Sequence, residues 1–433
     1  MRELLDKLFF SYMKRGDRVI TNEDLNNKYK IALTIIFIIS FFLIGLLFFY
    51  KPNYNKNKVS MNDKSKVNIK NEKNYQRVTA NTVRIEGNDL YETCASISQI
   101  LYPSTFREDR PNAVILVRSD KVDDAMLCPR ITNNPISAPI LFTEKNAIPE
   151  STLKEVDRLN PKGLFVDANV KIILVGDMGQ EIKNTLNQKN LKYRHIKGEN
   201  IYDLSLNIDN YLAAFNGDHK DVVIIAPKEK PEYALAQTSW NAYKGEGFFF
   251  VEKNKVPEPV KKALKARYGG AYIYILGDEN DISNGVKREL TKYGHVERIP
   301  NGENIYNQAV SFANYKDIGK NFSWWFSKRN RDFGWGGITQ PGHNFIFVNP
   351  DNWQVAVASS VLSNKGKHGP MLLVYKNSVP EKLKDYLYNV KPSYISSQAN
   401  NNNHGWIIGS NDYISDINQI IIDNLLEEER SRL

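Results

Sequence analysis

One six-residue pattern, Lys-Asn-x-[Ile/Val]-Pro-Glu, occurs three times, at Lys145–Glu150, Lys253–Glu258 and Lys376–Glu381. Copies spaced by about a hundred residues or a little more mark a chain built by repetition, and repetition constrains the fold more than composition can. The local physics of the pattern is a boundary. A strand ends, Asn turns the chain, and Pro opens a helix because its φ is fixed and it has no amide hydrogen to lose. Glu then stands in the first turn, where the helix dipole favours a negative charge.

The rest of the row repeats as well. "RIEGNDLYETCASIS" at 84–98 returns as "HIKGENIYDLSLNID" at 195–209 and as "RIPNGENIYNQAVSFA" at 298–313, each a glycine turn leading into a helix. Apolar runs follow, "AVILV" (113–117), "VVIIA" (222–226) and "NFIFV" (344–348), with the composition of strands buried on both faces. A second helix, the strand before each Lys-Asn turn, and a closing strand complete the row. The closing strands are "KIILVGD" (171–177), "YIYILGD" (272–278) and "GWIIGS" (405–410), each followed by an amphipathic helix. The unit reads β-α-β-α-β-α-β-α, which predicts a parallel sheet covered on both faces by right-handed crossovers.

These rows resemble the type 2 cell-wall-binding repeats of Gram-positive surface-layer and surface proteins, whose pattern runs R-[I/L]-x-G-x-[D/N]-R-Y-x-T-A-x-x-I-A, then V-I-L-V-x-G-D-x-F-P-D-A-L, then A-P-I-L-L-T and I-I-G-G. Matching residues are Arg84, Ile85, Gly87, Asp89, Tyr91, Thr93 and Ile97, then Val114 to Val117, Asp124, Ala125, Ala138 to Leu141 and Thr143. The resemblance covers residues 83 to about 425. It implies three tandem Rossmann-like parallel-sheet lobes in a pseudo-threefold arrangement, with repeats at 83–193, 194–296 and 297–426. It also implies non-covalent binding of an anionic cell-wall polymer, with Arg84, Asp89, Tyr91 and Asp124 as candidate contacts. Two departures bear on that. The family's arginine before Tyr is Leu90, Ile201 or Ile305, and the acid of the Asp-Ala pair is replaced by Tyr233 and Val355 in the later rows. Losing a five-donor guanidinium either weakens polymer binding or lets the lobes repack.

Outside the rows, residues 31–50 ("IALTIIFIISFFLIGLLFFY") carry no charge. As a helix they span a bilayer core of roughly 30 Å, so a transmembrane signal-anchor is expected after a cytoplasmic segment, 1–30. Lys/Arg counts on the two sides do not fix its orientation; repeats working at a wall would place the N-terminus in the cytoplasm and the lobes outside, as a single-pass protein. Residues 51–82 are Lys/Asn-rich and read as a flexible tether. Of the net charge of +9, residues 1–30 hold about +2 and 51–77 about +6, so the rows are near neutral and nucleic acid is not an expected partner.

The third row holds an insertion at 315–344, dense in aromatics and cations. Two readings stand: a flap that buries its rings on a neighbouring lobe, or a surface on which Trp324, Trp325 and Trp335 stack on sugars while Lys328, Arg329 and Arg331 meet anions, with room for a partner protein. Cys94 and Cys128 read as buried thiols, and the six histidines form no zinc pattern. No G-x-S-x-G, P-loop or G-x-G-x-x-G after a strand is present, so neither cofactor, metal nor catalysis is expected. The expectation is a non-catalytic, membrane-tethered wall-binding protein; the alternative is an extracytoplasmic scaffold or receptor taking a partner protein or small ligand between lobes.

Overall fold

In a computed structural model the chain divides into two units, Met1–Lys70 and Asn71–Leu433. The structure describes residues 78–300, 302–317, 320–323, 327–330, 333–336, 343–366, 368–390 and 403–427. The expected cytoplasmic segment 1–30, the apolar run 31–50 and the expected tether as far as residue 77 lie outside them. Among the described residues no helix is long and apolar enough to cross a membrane.

The first row folds as β1 (Thr82–Ile85), α1 (Leu90–Leu101), β2 (Val114–Arg118), α2 (Val122–Leu127), β3 (Ile140–Thr143), α3 (Glu150–Leu159), β4 (Ile172–Val175) and α4 (Gln180–Gln188). The second gives β5 (Tyr193–Ile196), α5 (Ile201–Asn216), β6 (Val222–Pro227), α6 (Gln237–Lys244), β7 (Gly247–Val251), α7 (Glu258–Lys265), β8 (Ala271–Ile275) and α8 (Asn284–Leu290). The third opens with β9 (Gly294–Arg298) and α9 (Ile305–Asn314), then an inserted antiparallel hairpin, β10 (Lys320–Ser323) with β11 (Ser327–Asn330). It continues as β12 (Asn344–Val348), α10 (Trp353–Ser359), β13 (Met371–Leu373), α11 (Glu381–Asn389), β14 (His404–Ile408) and α12 (Asp416–Leu426). Central strands such as Val114–Arg118 and Ile172–Val175 are buried throughout, as uninterrupted apolar runs require in a sheet covered on both faces.

Three four-stranded parallel sheets result, ordered β3-β2-β4-β5, β7-β6-β8-β9 and β13-β12-β14-β1. The strand that opens each row is therefore the edge strand of the sheet before it. β5 pairs with β4, β9 with β8, and β1 returns to pair with β14, Arg84 opposite Ile407 and Ile85 opposite Ile408. The boundaries 83–193, 194–296 and 297–426 mark copies in the sequence; the folded lobes are offset by one strand and the first strand closes the third lobe.

The Lys-Asn-x-x-Pro-Glu boundary performs one task three times. Glu144, Glu252 and Tyr375 N–H close the turn onto Ala147, Lys255 and Ser378 carbonyls at 3.0, 3.2 and 3.1 Å. The carbonyls of Lys145, Lys253 and Lys376 then accept, each at 2.9 Å, from the N–H of Gly179, Ser283 and Ser415, the residues that cap the following helices. Pro149, Pro257 and Pro380 stand at the N-caps of α3, α7 and α11, with Glu first in each helix.

One apolar core runs through all three lobes, and two further cores fill the outer faces of the second and third. At the centre α2, α6 and α10, with the 3-10 turns that extend them, pack on one another in every pairing. Cross-lobe contacts divide into two levels. Beyond the C-terminal strand ends Lys228 pairs with Asp123 at 2.7 Å and Gln354 Nε2 donates to Ser119 O at 3.1 Å. At the opposite level Asn133 donates to Asn241 O, Asn364 to Thr132 O, and Met371 N–H to Ser239 Oγ. The strand C-termini of the three lobes thus share one face, the crest, and the N-termini share the other, the base.

Candidate functional site

In a parallel sheet the crevice beyond the strand C-termini, where the strand order reverses, is where ligands bind. In the first lobe that point lies between β2 and β4. Arg118, the last residue of β2, donates Nε and Nη2 to Asp120 at 2.8 and 2.6 Å and reaches Asp177 Oδ2 at 3.6 Å. The guanidinium holds Asp120 below the usual carboxylate range. Asp124, at the N-terminal end of α2, lies against Gly176, whose φ of +83° turns the chain after β4. A Cβ at Gly176 would overlap the Asp124 carboxylate, so the glycine is required here. Burial first, then Asp123, push Asp124 up to about 6.

The other two crests share the frame and differ in chemistry. In the second, Tyr233 replaces the acid, and Lys230 Nζ meets Asp281 at 2.6 Å. In the third, Val355 is fully buried and Asn349 Nδ2 donates to Tyr413 O at 2.9 Å. Among the described residues no group of three His, Cys, Asp or Glu is placed to hold a metal ion. The arrangement offers binding surface and hydrogen-bonding edges.

Arg84 was a candidate ligand contact and is corrected: it is fully buried, donating to Gly409 O at 2.7 Å and Gln419 Oε1 at 3.0 Å and approaching Asp416. At the equivalent register His195 donates to Gly176 O at 2.7 Å, and Arg298 to Gly277 O at 2.7 Å. A basic residue therefore clamps the glycine turn of every lobe. Burial lowers the His195 pKa. Asp89 is exposed and caps α1 by accepting from Glu92 N–H at 2.8 Å, the part Asn200 and Asn304 play for α5 and α9. Gly87, Gly198 and Gly302 lie flat on the first turns of those helices, where a Cβ would overlap backbone; close approach accounts for them without an anion. Tyr91 is half-buried and shares a 3.2 Å hydrogen bond with Ser119 at the crest, beside Asp120 in the chain. Leu90, Ile201 and Ile305, which stand where the family pattern has arginine, pack against the central core.

The insertion roots itself in the second lobe. Phe333 stacks on Tyr274 at 3.8 Å, and Trp335, 6% exposed, stands edge-on to Trp240 at 5.1 Å and stacks on Tyr243 at 5.7 Å. Trp335 is thus a packing residue rather than a sugar platform. Trp324, Trp325 and Arg331 lie outside the described residues, as do the side chains of Lys328 and Arg329 on β11. Cys94 and Cys128 are buried free thiols.

Sequence reasoning passed over a seam between the first two lobes. Asp209 of α5, buried, receives Arg130 at 2.7 Å, both Nη of Arg267 at 3.0 and 2.9 Å, and His219 Nδ1 at 2.7 Å. Glu246, also buried, sits nearby and is pushed up to about 7 by burial. The aligned residues Ser98 and Ala313 give no hint of a charge there; a charged residue at a helix position facing the core was the available signal.

Residues 195–287 match the model of Cell wall binding domain 2 (CWB2). A curated protein, "Amidase enhancer" from Bacillus subtilis (strain 168), is 26% identical over 231 residues, 52% of this chain and 29% of that protein. Among solved structures, Cwp6 and Cwp8 from Clostridium difficile each align with a TM-score of 0.62, at 18% and 17% identity, over 81% and 80% of this chain. The chain spans 48% and 52% of their lengths, and so about half or less of each of these proteins. The match at 195–287 falls on the second of three rows that share one fold, and the chain carries the type 2 cell-wall-binding repeat, Cell wall binding domain 2.

Proposed function

We propose that this protein is a non-catalytic, membrane-tethered wall-binding protein whose three lobes face the wall and hold an anionic wall polymer. The observation that carries the reading is the Cell wall binding domain 2 match inside a body of three like lobes. The relative named "Amidase enhancer" supports a role in binding or modulation over hydrolysis. The crest repeats a cation at one equivalent place in each lobe: Lys145, Lys253 and Lys376 are exposed, each presented by a turn whose backbone is fixed by the N-cap residue of α4, α8 or α12. Three weak contacts on one repeating polymer gain avidity without stronger single contacts. Residues 31–50 supply the anchor, with the N-terminus cytoplasmic and the lobes extracytoplasmic, and a tether of some thirty residues gives a reach of roughly 30 Å.

The test is retention of the fragment 71–433 on purified wall with and without its anionic polymer. That fragment is the compact second unit and contains every core and the closing strand. Retention only where polymer is present is expected; equal retention on both, or none on either, overturns the reading.

A further inference from the structure

The three Lys-Asn turns of the crest share a backbone and differ in the residue before the lysine, which is Glu144, Glu252 or Tyr375. In the first two lobes the exposed cation therefore stands next to a carboxylate, which offsets its pull on an anion. In the third, Lys376 stands next to a ring that is 41% exposed. The tyrosine that opens each row's first helix changes its partner accordingly. Tyr202 of α5 donates its hydroxyl to Glu252 Oε1 at 3.4 Å, and Tyr91 of α1 shares its hydrogen bond with Ser119. Tyr306, at the same place in α9, lays its ring on Tyr375, with centroids 4.0 Å apart and planes tilted by 36°. Neither hydroxyl of that pair has a hydrogen-bond partner among the described residues. Burial, then Tyr375 and the exposed acid Asp351, push the Tyr306 hydroxyl up to about 12, so it keeps its proton at neutral pH.

The third turn is also held more firmly than its counterparts. Besides the N–H bond to Ser378 O, the Tyr375 carbonyl accepts from Asn418 Nδ2 at 2.8 Å, and the same amide donates to Ser378 O at 3.2 Å. Asn418 is fully buried, three residues past the Ser415 cap of α12; Ile182 and Val286 hold that place in α4 and α8 and have no side-chain donor to give. Its Oδ1 is buried without a partner, so the amide costs stability that an aliphatic side chain would not. A buried amide that fixes one exposed turn, in the lobe where that turn carries a ring, suits a contact that must be rigid before its ligand arrives.

We infer that the crest of the third lobe is a saccharide subsite for an acidic glycan, a sugar ring lying on Tyr375 with its charged group at Lys376. One face of a pyranose presents C–H bonds, which pack on the negative face of an aromatic ring, while the unpartnered hydroxyls of Tyr306 and Tyr375 meet the sugar's own. The turns at Lys145 and Lys253 offer charge alone, each with an acid beside it. The inference rests on the reading that the lobes hold an anionic wall polymer, and it gives the third lobe the larger share and the selectivity for sugar.

Fragment 71–433 is titrated calorimetrically with a hyaluronan hexasaccharide, which has rings and charge, with maltohexaose, which has rings alone, and with polyphosphate, which has charge alone. The hexasaccharide is expected to bind best. Tyr375→Ala should lower its affinity about tenfold or more and that of polyphosphate less, while Tyr375→Phe, which keeps the ring, retains most of it. Lys376→Ala should weaken both charged probes, with unchanged melting because the side chain is exposed, and should cost more hexasaccharide affinity than Lys145→Ala or Lys253→Ala. No binding of the hexasaccharide, binding that Tyr375→Ala does not weaken, or equal losses from the three lysine variants overturns the inference. Wall retention is scored separately. A fragment that binds the hexasaccharide through Tyr375 and ignores wall polymer refutes the wall reading and keeps the subsite. One retained by polymer, whose Tyr375→Ala variant titrates as the unaltered fragment does, refutes the subsite and keeps the wall reading.

Discussion

Asp209 gathers two guanidinium groups and an imidazole on one buried carboxylate, across the seam between the first and second lobes. Its pKa is held well below the carboxylate range by Arg130, His219 and Arg267, against burial. Asp209→Asn leaves Arg130 and Arg267 buried without their counter-charge, and a loss of about 3–5 kcal/mol is expected in denaturant titration. Glu246 works in the opposite direction. Its folded pKa of about 7 lies above the ordinary 4.5, so the unfolded chain releases the proton first and stability falls as pH rises from about 4.5 to about 7. The shift corresponds to about 3 kcal/mol at the upper end. Glu246→Gln should flatten most of that slope in melts across this window and raise stability at neutral pH. Asp124, with the same sign at about 6, adds to the slope, and His195, whose pKa burial lowers, opposes it. A slope unchanged by Glu246→Gln contradicts the assignment. Asp209 was not legible with its partners, because Arg130 comes from the first row and Arg267 lies 58 residues further along the second, and the three meet only when the lobes close. Arg84 was legible as a repeated basic position, yet its acceptor is a backbone carbonyl 325 residues away. No side-chain pattern records such a partner.

Elements were read far more fully than partners. The Lys-Asn-x-x-Pro-Glu boundary performs in the fold the turn-and-cap task its residues predict, because Pro, Asn and a first-turn Glu act locally. The strand runs at 113–117, 222–226 and 344–348 fall on β2, β6 and β12. What the rows concealed is which sheet each opening strand joins, since "RIEG" and "HIKG" look like the start of their own lobe while pairing with the previous one. That misplacement makes β1 a clasp. Arg84→Ala removes the buried hydrogen bonds to Gly409 and Gln419 and should cost about 3 kcal/mol or more. Its effect should appear first in faster amide exchange of β14 and α12, with β4 and β8 protected as before. Uniform loss of protection across all three sheets would show that β1 is not the local clasp. Gly198→Ala belongs at this scale as well. A Cβ there meets the backbone of Leu204, and a loss of at least about 2 kcal/mol is expected, whatever anions are in the buffer.

At the scale of the molecule the question is whether three lobes behave as three domains or one. Each of the second and third has an outer core of its own, which favours independence. The inner core does not respect the lobes. Met126 and Leu127 of the first, Leu235 and Trp240 of the second, and Val357 and Leu362 of the third belong to one contiguous cluster. The insertion adds Phe333 and Trp335 to the same cluster from the third row while stacking on the second lobe. Exposing one lobe therefore strips apolar surface from its neighbours, a cost that no outer core offsets. Fragment 71–433 should unfold in one calorimetric transition, its calorimetric and van't Hoff enthalpies equal. Trp335→Ala, which hollows the seam between second and third lobes, should lower the midpoint by the equivalent of about 3–5 kcal/mol and leave the transition single. Two or three resolved transitions in the unaltered fragment would show lobes that stand alone, and a polymer site spread across them would then lose the fixed spacing on which its avidity depends.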